Sequence, residues 1–475
     1  MPLILGSQSA VSSEAYSIDN SCRFNRADSA KLAITFGSAG DLRKWTLSFW
    51  LKRGNITQTQ RIMVAGDGSN NNLFGYVAND TLDYLCYTTR TPANQGNLLT
   101  NRLFRDPSAW YHYVFVWDTD NATADLRLRM YINGTEETSF SADVNEENAD
   151  SIWNSAVEHQ IAKGWDDQYF DGYIAEAVFT DGQVYAPSDF GEFNSDSPTI
   201  WQPKDPSGLT MSGNSFWLDF EDSSDLGNDV SGNNNDFTST NLAAIDQCLD
   251  SPTNNFATLN LLQNYYDPGV FTQGNCTYTT AGGTGMYSFR TTTLGMSKSK
   301  WYMEFRKTTG DTNAQWGYAS EYPTANNNYC GEVAGNYGLY GANGFLYTNA
   351  SAVSSGWGTM STGYVMLAID LDNNFIYFGK DGTWLKSGDP TSGATGTGGQ
   401  SITAASASTI GHYFFAVGDF SNTSGYDFQC NFGNGSFGET AAGATNADDN
   451  DQGIFKYDVP TGYYALCTKN LAEFG

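Results

Sequence analysis

The chain has 475 residues, of which 52 are Asp or Glu and 24 are Lys or Arg, giving a net charge of −28. A surface of that sign repels phosphate backbones and anionic lipid, which excludes nucleic acid as the main partner. Aromatic residues make up 15% of the chain and Gly numbers 50; with Thr, Ser and Asn between the apolar runs, this usage fits strands and turns and disfavours helical bundles.

The opening "MPLILGSQSAVSSEAYSIDN" lacks a basic stretch and a long apolar core, so no secretory signal is expected and synthesis in a cytoplasm is. Its apolar start reads as an attachment segment over 1–15, a strand that could add to a partner. No run reaches the roughly 18 apolar residues of a membrane span, so no membrane insertion is expected. Seven scattered cysteines (Cys22, Cys86, Cys248, Cys276, Cys330, Cys430, Cys467), with no CxxC pair, read as reduced, buried thiols.

In "KWTLSFWLKRG", Trp45, Leu47, Phe49 and Leu51 alternate with Thr46, Ser48 and Lys52, the period of a half-buried strand. "WYHYVFVWD" (110–118) is apolar on both faces and is expected between two packed sheets. In "LRLRMYINGTEE", Leu126, Leu128, Met130 and Ile132 face one way, and Asn133-Gly134 supplies the pair of positive φ angles a tight hairpin needs. "FDGYIAEAVF" is a last strand, and "APSDFGEF" a short helical turn. Evenly spaced short strands separated by turn signals predict a sandwich over 16–195.

Residues 196–262 are rich in Asp, Asn and Ser, and read as an ordered joint in which "SFWLDFE" and "FTSTNL" still alternate as strands. A second strand-rich region follows over 263–437, with "KWYMEFRK", "QWGYA", "NYGLYG", "YVMLAIDLDNNFIYFGKDGTW" and "YDFQCNFGNGSF". The acids and amides of "DLDNN" (370–374) and Asp381-Gly382 read as turn formers around the strand Phe375 to Phe378. The segment 438–475 is expected to pack on the joint or on a neighbour. The fold class is therefore all-β: two antiparallel jelly-roll or β-sandwich domains joined by an Asp/Asn-rich ordered linker.

The first block resembles the concanavalin-like, laminin-G type jelly roll, on "WTLSFWLKRG", then "WYHYVFVWD" with "RMYINGTEE", then "GYIAEAVFTDGQVYAPSDFGEF". The second resembles a SPRY domain, on an early W-Y-x-E strand, a central D-x-D-x-x-x-I-x-F-x-x-x-G hairpin and a late N-F-G. Together with "DLGNDVSGNNNDFTSTNL" and "SPTNNFATLN" between them, the combination resembles virion surface proteins of tailed bacteriophages, of the fibre, spike or decoration type. That resemblance implies a structural protein on the virion surface, made in the host cytoplasm, whose partners are other virion proteins and a host surface glycan or protein, with a homo-oligomer expected. A lectin free in solution and a polysaccharide-degrading glycosidase are the alternatives.

Retaining glycosidases need two carboxylates ~5 Å apart. The nearest candidates are Asp219 and Glu221 in "WLDFED", two residues apart and expected on one strand face. His112, His159 and His412 are far apart in sequence, which leaves little for a zinc site or a histidine-based triad, and no catalytic residue is assigned. No cofactor is required, but "DVSGNNND" offers a hard cation such as Ca2+ the oxygens of Asp229, Ser231, Asn233, Asn235 and Asp236; Asx-turn chemistry selects the same residue types. Sugar binding would use aromatic rings in loops. The candidates are Trp316, Tyr322, Tyr329, Tyr337 and Trp357 in the second block, and Trp165 and Tyr169 in the first.

Overall fold

A computed structural model of the protein describes residues 16–88, 94–164, 167–263, 269–281, 287–308, 313–322, 328–360, 362–420 and 426–475. The attachment segment expected over 1–15 lies outside them. Along Lys44–Arg53 the alternation of the sequence sends Trp45, Leu47, Phe49 and Leu51 into a core with Phe74, Tyr84, Phe115, Trp117, Trp153 and Phe179. Trp45 and Trp117 are register partners on neighbouring strands, and their rings stack at 5.9 Å. Truncating such a ring typically costs about 3–5 kcal/mol.

The chain divides into two units, Val11–Thr253 and Asn254–Gly475. In the first, one antiparallel sheet runs Thr135–Glu136, Leu128–Ile132, Trp110–Asp118, Lys44–Arg53, Gly172–Asp181, Ser21–Phe24 and Gln247–Cys248, with Phe216–Leu218 paired onto Gly172–Asp181. The facing sheet runs Phe140–Asn145, Asn94–Leu103, Thr81–Tyr87, Asn71–Tyr76, Gln60–Gly66, Glu158–Ile161, Lys31–Thr35 and Thr238–Thr240. Asn133 and Gly134 take φ of 49° and 75° at the hairpin, as their residue types demand.

The segment read as a joint closes this sandwich. Phe216–Leu218, Thr238–Thr240 and Gln247–Cys248 each pair with a first-unit strand, which occupies backbone groups that would otherwise stay open. Trp110–Asp118 is buried on both faces, but a second sheet covers only one of them. Over the other, Val114 and Val116 pack with Phe190, Tyr185, Leu209, Met211 and Trp217, from the chain that follows the last long strand. Burial on both faces thus came from mostly irregular chain together with Trp217 of the short strand Phe216–Leu218, a cover that period-2 reasoning cannot distinguish from a second sheet.

In the second unit, one sheet runs Val270–Thr272, Thr277–Thr279, Asp427–Asn431, Lys300–Lys307, Gly363–Asp370, Phe375–Lys380 and Thr383–Trp384. The other runs Ser288–Thr291, Phe414–Asp419, Ala314–Ala319, Tyr337–Tyr340, Phe345–Thr348 and Ser351–Ser354. The C-terminal residues join the same unit. Tyr464–Ala465 pairs parallel to Lys300–Lys307, and Cys467 bridges Phe256 in "SPTNNFATLN".

The central hairpin forms as read. Asn374 and Asp381 take φ of 61° and 48°. The Asp370 carboxylate accepts from Asn373 N and Nδ2 and pairs with Lys300, while Asp381 accepts from Tyr364 N. The early and late marks of the second block also meet: Asn431 Nδ2 donates to Glu304 Oε2 at 3.2 Å. All seven cysteines are buried and unbridged.

Candidate functional site

The outer face of the six-stranded sheet in the second unit is stripped of side chains along one line. Gly338 opposes Gly317 across one strand pair, and Gly418 lies on the adjoining strand opposite Gln315. A Cβ at Gly338 would stand 2.0 Å from Cys330 O, one at Gly317 would stand 3.1 Å from Cys330 Sγ, and one at Gly418 3.2 Å from Cys330 Cβ. The missing side chains let residues 329–331 lie flat on the sheet, with Phe289, Ala319 and Ala416 packed around Cys330.

That strap delivers Tyr329 to one end of the sheet, where five rings gather. Phe420 follows the strand Phe414–Asp419, and Tyr287 precedes its register neighbour Ser288–Thr291. Their rings stack at 5.0 Å. Tyr329 and Tyr340 stand on edge against Phe420, at 4.6 and 5.6 Å and both at 77°, and Tyr347 meets Tyr340 at 6.2 Å. Phe420 is 36% exposed, and the four tyrosines are half-buried. Hydrogen bonds fix the phenols: Tyr340 OH donates to Asn313 Oδ1, and Asn343 Nδ2 donates to Tyr347 OH at 3.3 Å. Burial, reinforced by Glu332, keeps the Tyr329 phenol protonated well above the usual tyrosine range. Below the rings, Gln315 Oε1 is buried without a partner. Chemically the arrangement is an apolar, angular platform rimmed by hydroxyl and amide groups, suited to C–H faces and hydroxyls and without a nucleophile.

Of the ring residues anticipated from sequence, only Tyr329 belongs to this cluster. Trp316, Trp357 and Tyr337 are buried in the second-unit core, so none is a surface platform. Their "loops" are strand interiors or chain folded under the sandwich edge, where large rings are drawn for packing. Tyr322 sits at the opposite end of the sheet against Phe414, 6.2 Å away. In the first unit Tyr169 is half-buried under Lys163 Nζ, 5.1 Å from its ring, and Trp165 lies outside the described residues. Tyr287, Tyr340, Tyr347 and Phe420 were missed. The available signal was an aromatic residue at the same end of several strands, which needs the register to be read.

The carboxylates of "DVSGNNND" are turned to nearby backbone N–H groups. Asp229 is buried, its Oδ1 accepts from Trp217 N and Ser231 N, and its Oδ2 accepts from Asn235 N and Ser231 Oγ. Asp236 Oδ1 accepts from Asp229 N, Asn233 Nδ2 donates to Ser215 O, and Asn235 Nδ2 donates to Gly213 O and Ser215 O. This is the Asx network of a tight loop, in which both Asp229 oxygens and Asp236 Oδ1 accept from the loop itself and from Trp217 N.

The candidate carboxylate pair does not share a strand face. The strand ends at Leu218, Phe220 turns into the core with φ of 60°, and Asp219 Oδ1 accepts from Glu221 N at 3.1 Å. Ser48 and His112 are in contact at 2.8 Å, the pairing a hydrolase would use, but the tautomer is wrong. Trp201 Nε1 donates to His112 Nδ1 at 3.0 Å, which places the ring proton on Nε2, facing Ser48. Burial lowers the imidazole pKa to about 3, so the ring is neutral and its Nε2 cannot take the serine proton. Two grooves of about 320 and 470 Å³ flank the edge strand Thr238–Thr240. Their linings are mainly Ser, Thr and acids, and neither gathers rings.

A family model described as the concanavalin A-like lectin/glucanases superfamily matches residues 26–184. No curated protein matches the chain. Among solved structures, the chain is similar to the SPRY domain of human HERC1, with 12% identity over 32% of this chain and 86% of that one and a TM-score of 0.25. It is also similar to a putative carbohydrate binding protein from Bacteroides ovatus, with 13% identity over 47% of this chain and 59% of that one and a TM-score of 0.32. A third is the Ruminococcus gnavus IT-sialidase CBM40 bound to α2,3 sialyllactose, with 13% identity, covering 37% of this chain and 97% of that one, at a TM-score of 0.27.

Proposed function

We propose that this chain is a non-enzymatic recognition protein of a tailed-phage particle, a fibre, spike or decoration component, and that its second unit reads host surface glycan through the five-ring cluster. The cluster carries the proposal. Half-exposed tyrosines around an exposed Phe420 form a surface of the kind that stacks on pyranose C–H faces, with hydroxyls and amides at its rim. A lectin and glucanase family description for residues 26–184 supports carbohydrate as the ligand class. The particle assignment rests on the order of motifs along the chain.

Binding of the intact chain to host envelope polysaccharide tests the recognition half, read against Phe420→Ala. We expect at least a tenfold loss of affinity with the melting temperature held; unchanged binding would sink the ring cluster as the site. Purified particles test the other half. The chain co-purifies with capsid and tail proteins in a fixed ratio if it is a virion component, and stays in the soluble fraction if it is a free lectin.

A further inference from the structure

We propose that the ring cluster selects uncharged glycans and rejects acidic ones, whether sialylated, uronate-bearing or phosphorylated. The inference rests on the reading of the cluster as a glycan site and adds the ligand's charge. A carboxylate or phosphate on a sugar is usually held by an arginine fork or a lysine. The sequence has no Lys or Arg between Lys307 and Lys380, or between Lys386 and Lys456. Those two stretches supply four of the five rings; the fifth, Tyr287, has Arg290 as its nearest cation in sequence.

The cations that bound these stretches are engaged elsewhere. The Arg290 guanidinium lies 4.7 Å over Tyr278 and is fully buried. Lys307 is buried, 5.4 Å over Tyr426. Lys380 donates to Thr359 O at 3.3 Å, Lys386 lies 4.5 Å over Trp357, and Lys456 lies 4.7 Å over Tyr364. Among the described residues a carboxylate, Glu332, is tied to a ring of the cluster, beside Tyr329. A carboxylate there accepts from a sugar hydroxyl and opposes an anion. The net charge of −28 adds long-range repulsion of the same sign. Neutral sugars meet none of these penalties, and their hydroxyls find Asn343, the tyrosine phenols and Glu332 at the rim.

The experiment is a glycan array probed with the intact chain. It carries neutral oligosaccharides printed beside the same oligosaccharides ending in sialic acid or glucuronate, with the strongest pair repeated by calorimetry. We expect neutral members to bind at least tenfold more tightly than their acidic counterparts, and Phe420→Ala to abolish that binding. Asn343→Arg, at an exposed turn position, is expected to narrow the gap to about threefold or less by supplying the missing cation. Acidic members binding as well as neutral ones, with binding still lost in Phe420→Ala, would overturn the charge selection and leave the glycan site standing. Binding of no glycan, or binding indifferent to both Phe420→Ala and Tyr287→Ala, removes the site and the selection together.

Discussion

Each unit buries a glutamate, and the two are held in opposite ways. Glu304 in the second unit accepts from Tyr302 OH at 3.0 Å, Lys456 N at 2.9 Å, Tyr457 N at 2.8 Å and Asn431 Nδ2 at 3.2 Å. Glu176 in the first unit sits in a bulge of Gly172–Asp181 at φ of 47°, accepts from Tyr16 OH at 3.0 Å, and has Asp219 and Asp205 for charged neighbours. Burial raises both pKa values, but donors pull Glu304 back, whereas Glu176 is pushed up to about 8. A buried carboxylate ringed by donors organises the chain around it; one with few donors and acidic neighbours survives by keeping its proton.

The largest effect is expected at Glu304. Its two backbone donors belong to the C-terminal segment, so the side chain ties that segment to the sheet. Glu304→Ala takes the shared acceptor from four donors, of which the Tyr302 hydroxyl is fully buried and Asn431 Nδ2 keeps Ile454 O, and should destabilise the second unit by about 3–5 kcal/mol. Hydrogen exchange along Lys300–Lys307 should rise, while Lys44–Arg53 in the first unit keeps its protection. Equal protection in mutant and wild type would mean the donors find other partners and Glu304 is not the anchor.

Next is the pH dependence of the first unit. The folded pKa of Glu176 lies above its unfolded value, so its favourable contribution is complete below the unfolded pKa and is lost as pH rises toward about 8. Asp171, buried and raised to about 7, acts in the same direction. His112 and His159, lowered to about 3 and about 4 from 6.5, act in the opposite direction, but their destabilising contribution fades once pH passes about 7 and leaves the upper part of this range to the carboxylates. Between pH 6 and 9, Glu176 should remove roughly 2–3 kcal/mol of first-unit stability. Glu176→Gln should flatten that slope, being nearly neutral only near pH 4 and increasingly stabilising relative to wild type as pH rises toward about 8. An unchanged slope in the mutant would place the titration elsewhere.

The same contrast marks what the sequence made legible. Strands, hairpins and turns were readable because their signals are local: the alternation at Trp45 to Leu51, Asn133-Gly134, and the acids around Phe375 to Phe378. Glu304 and Asn431 were readable as marks of a resemblance, though their hydrogen bond joins strands 127 residues apart in sequence. The destination of the joint strands, the cover over Val114 and Val116, and the ring cluster were not readable. Each depends on which strand edges stand open and which strand ends coincide, properties of the assembled sheet. Trp316 and Trp357 misled because a core ring and a platform ring have the same composition signal.

A smaller effect separates the strap from the sheet beneath it. Gly418→Ala sets a Cβ 2.6 Å from Ser288 O and 3.2 Å from Cys330 Cβ. We expect a destabilisation of about 1–3 kcal/mol, with a further loss of glycan affinity because the strap carries Tyr329. A mutant that melts earlier but binds normally at low temperature would show that Tyr329 is not needed for the platform.

The smallest stability change belongs to the residue with the largest expected effect on binding. Phe420 is 36% exposed and meets Tyr287, Tyr329 and Tyr340 only at the surface. Phe420→Ala should therefore shift unfolding by about 1 kcal/mol or less. Its three ring partners lose their common neighbour, so the platform disperses while the core around Trp316, Phe415 and Val417 stays packed. A glutamate with four donors and a ring with an open face are opposite solutions on one unit, the first spending its contacts on the fold and the second leaving a face free for a ligand. If Phe420→Ala instead destabilises as strongly as a core truncation, the rings are structural cover for the sheet end and the recognition surface must be sought elsewhere.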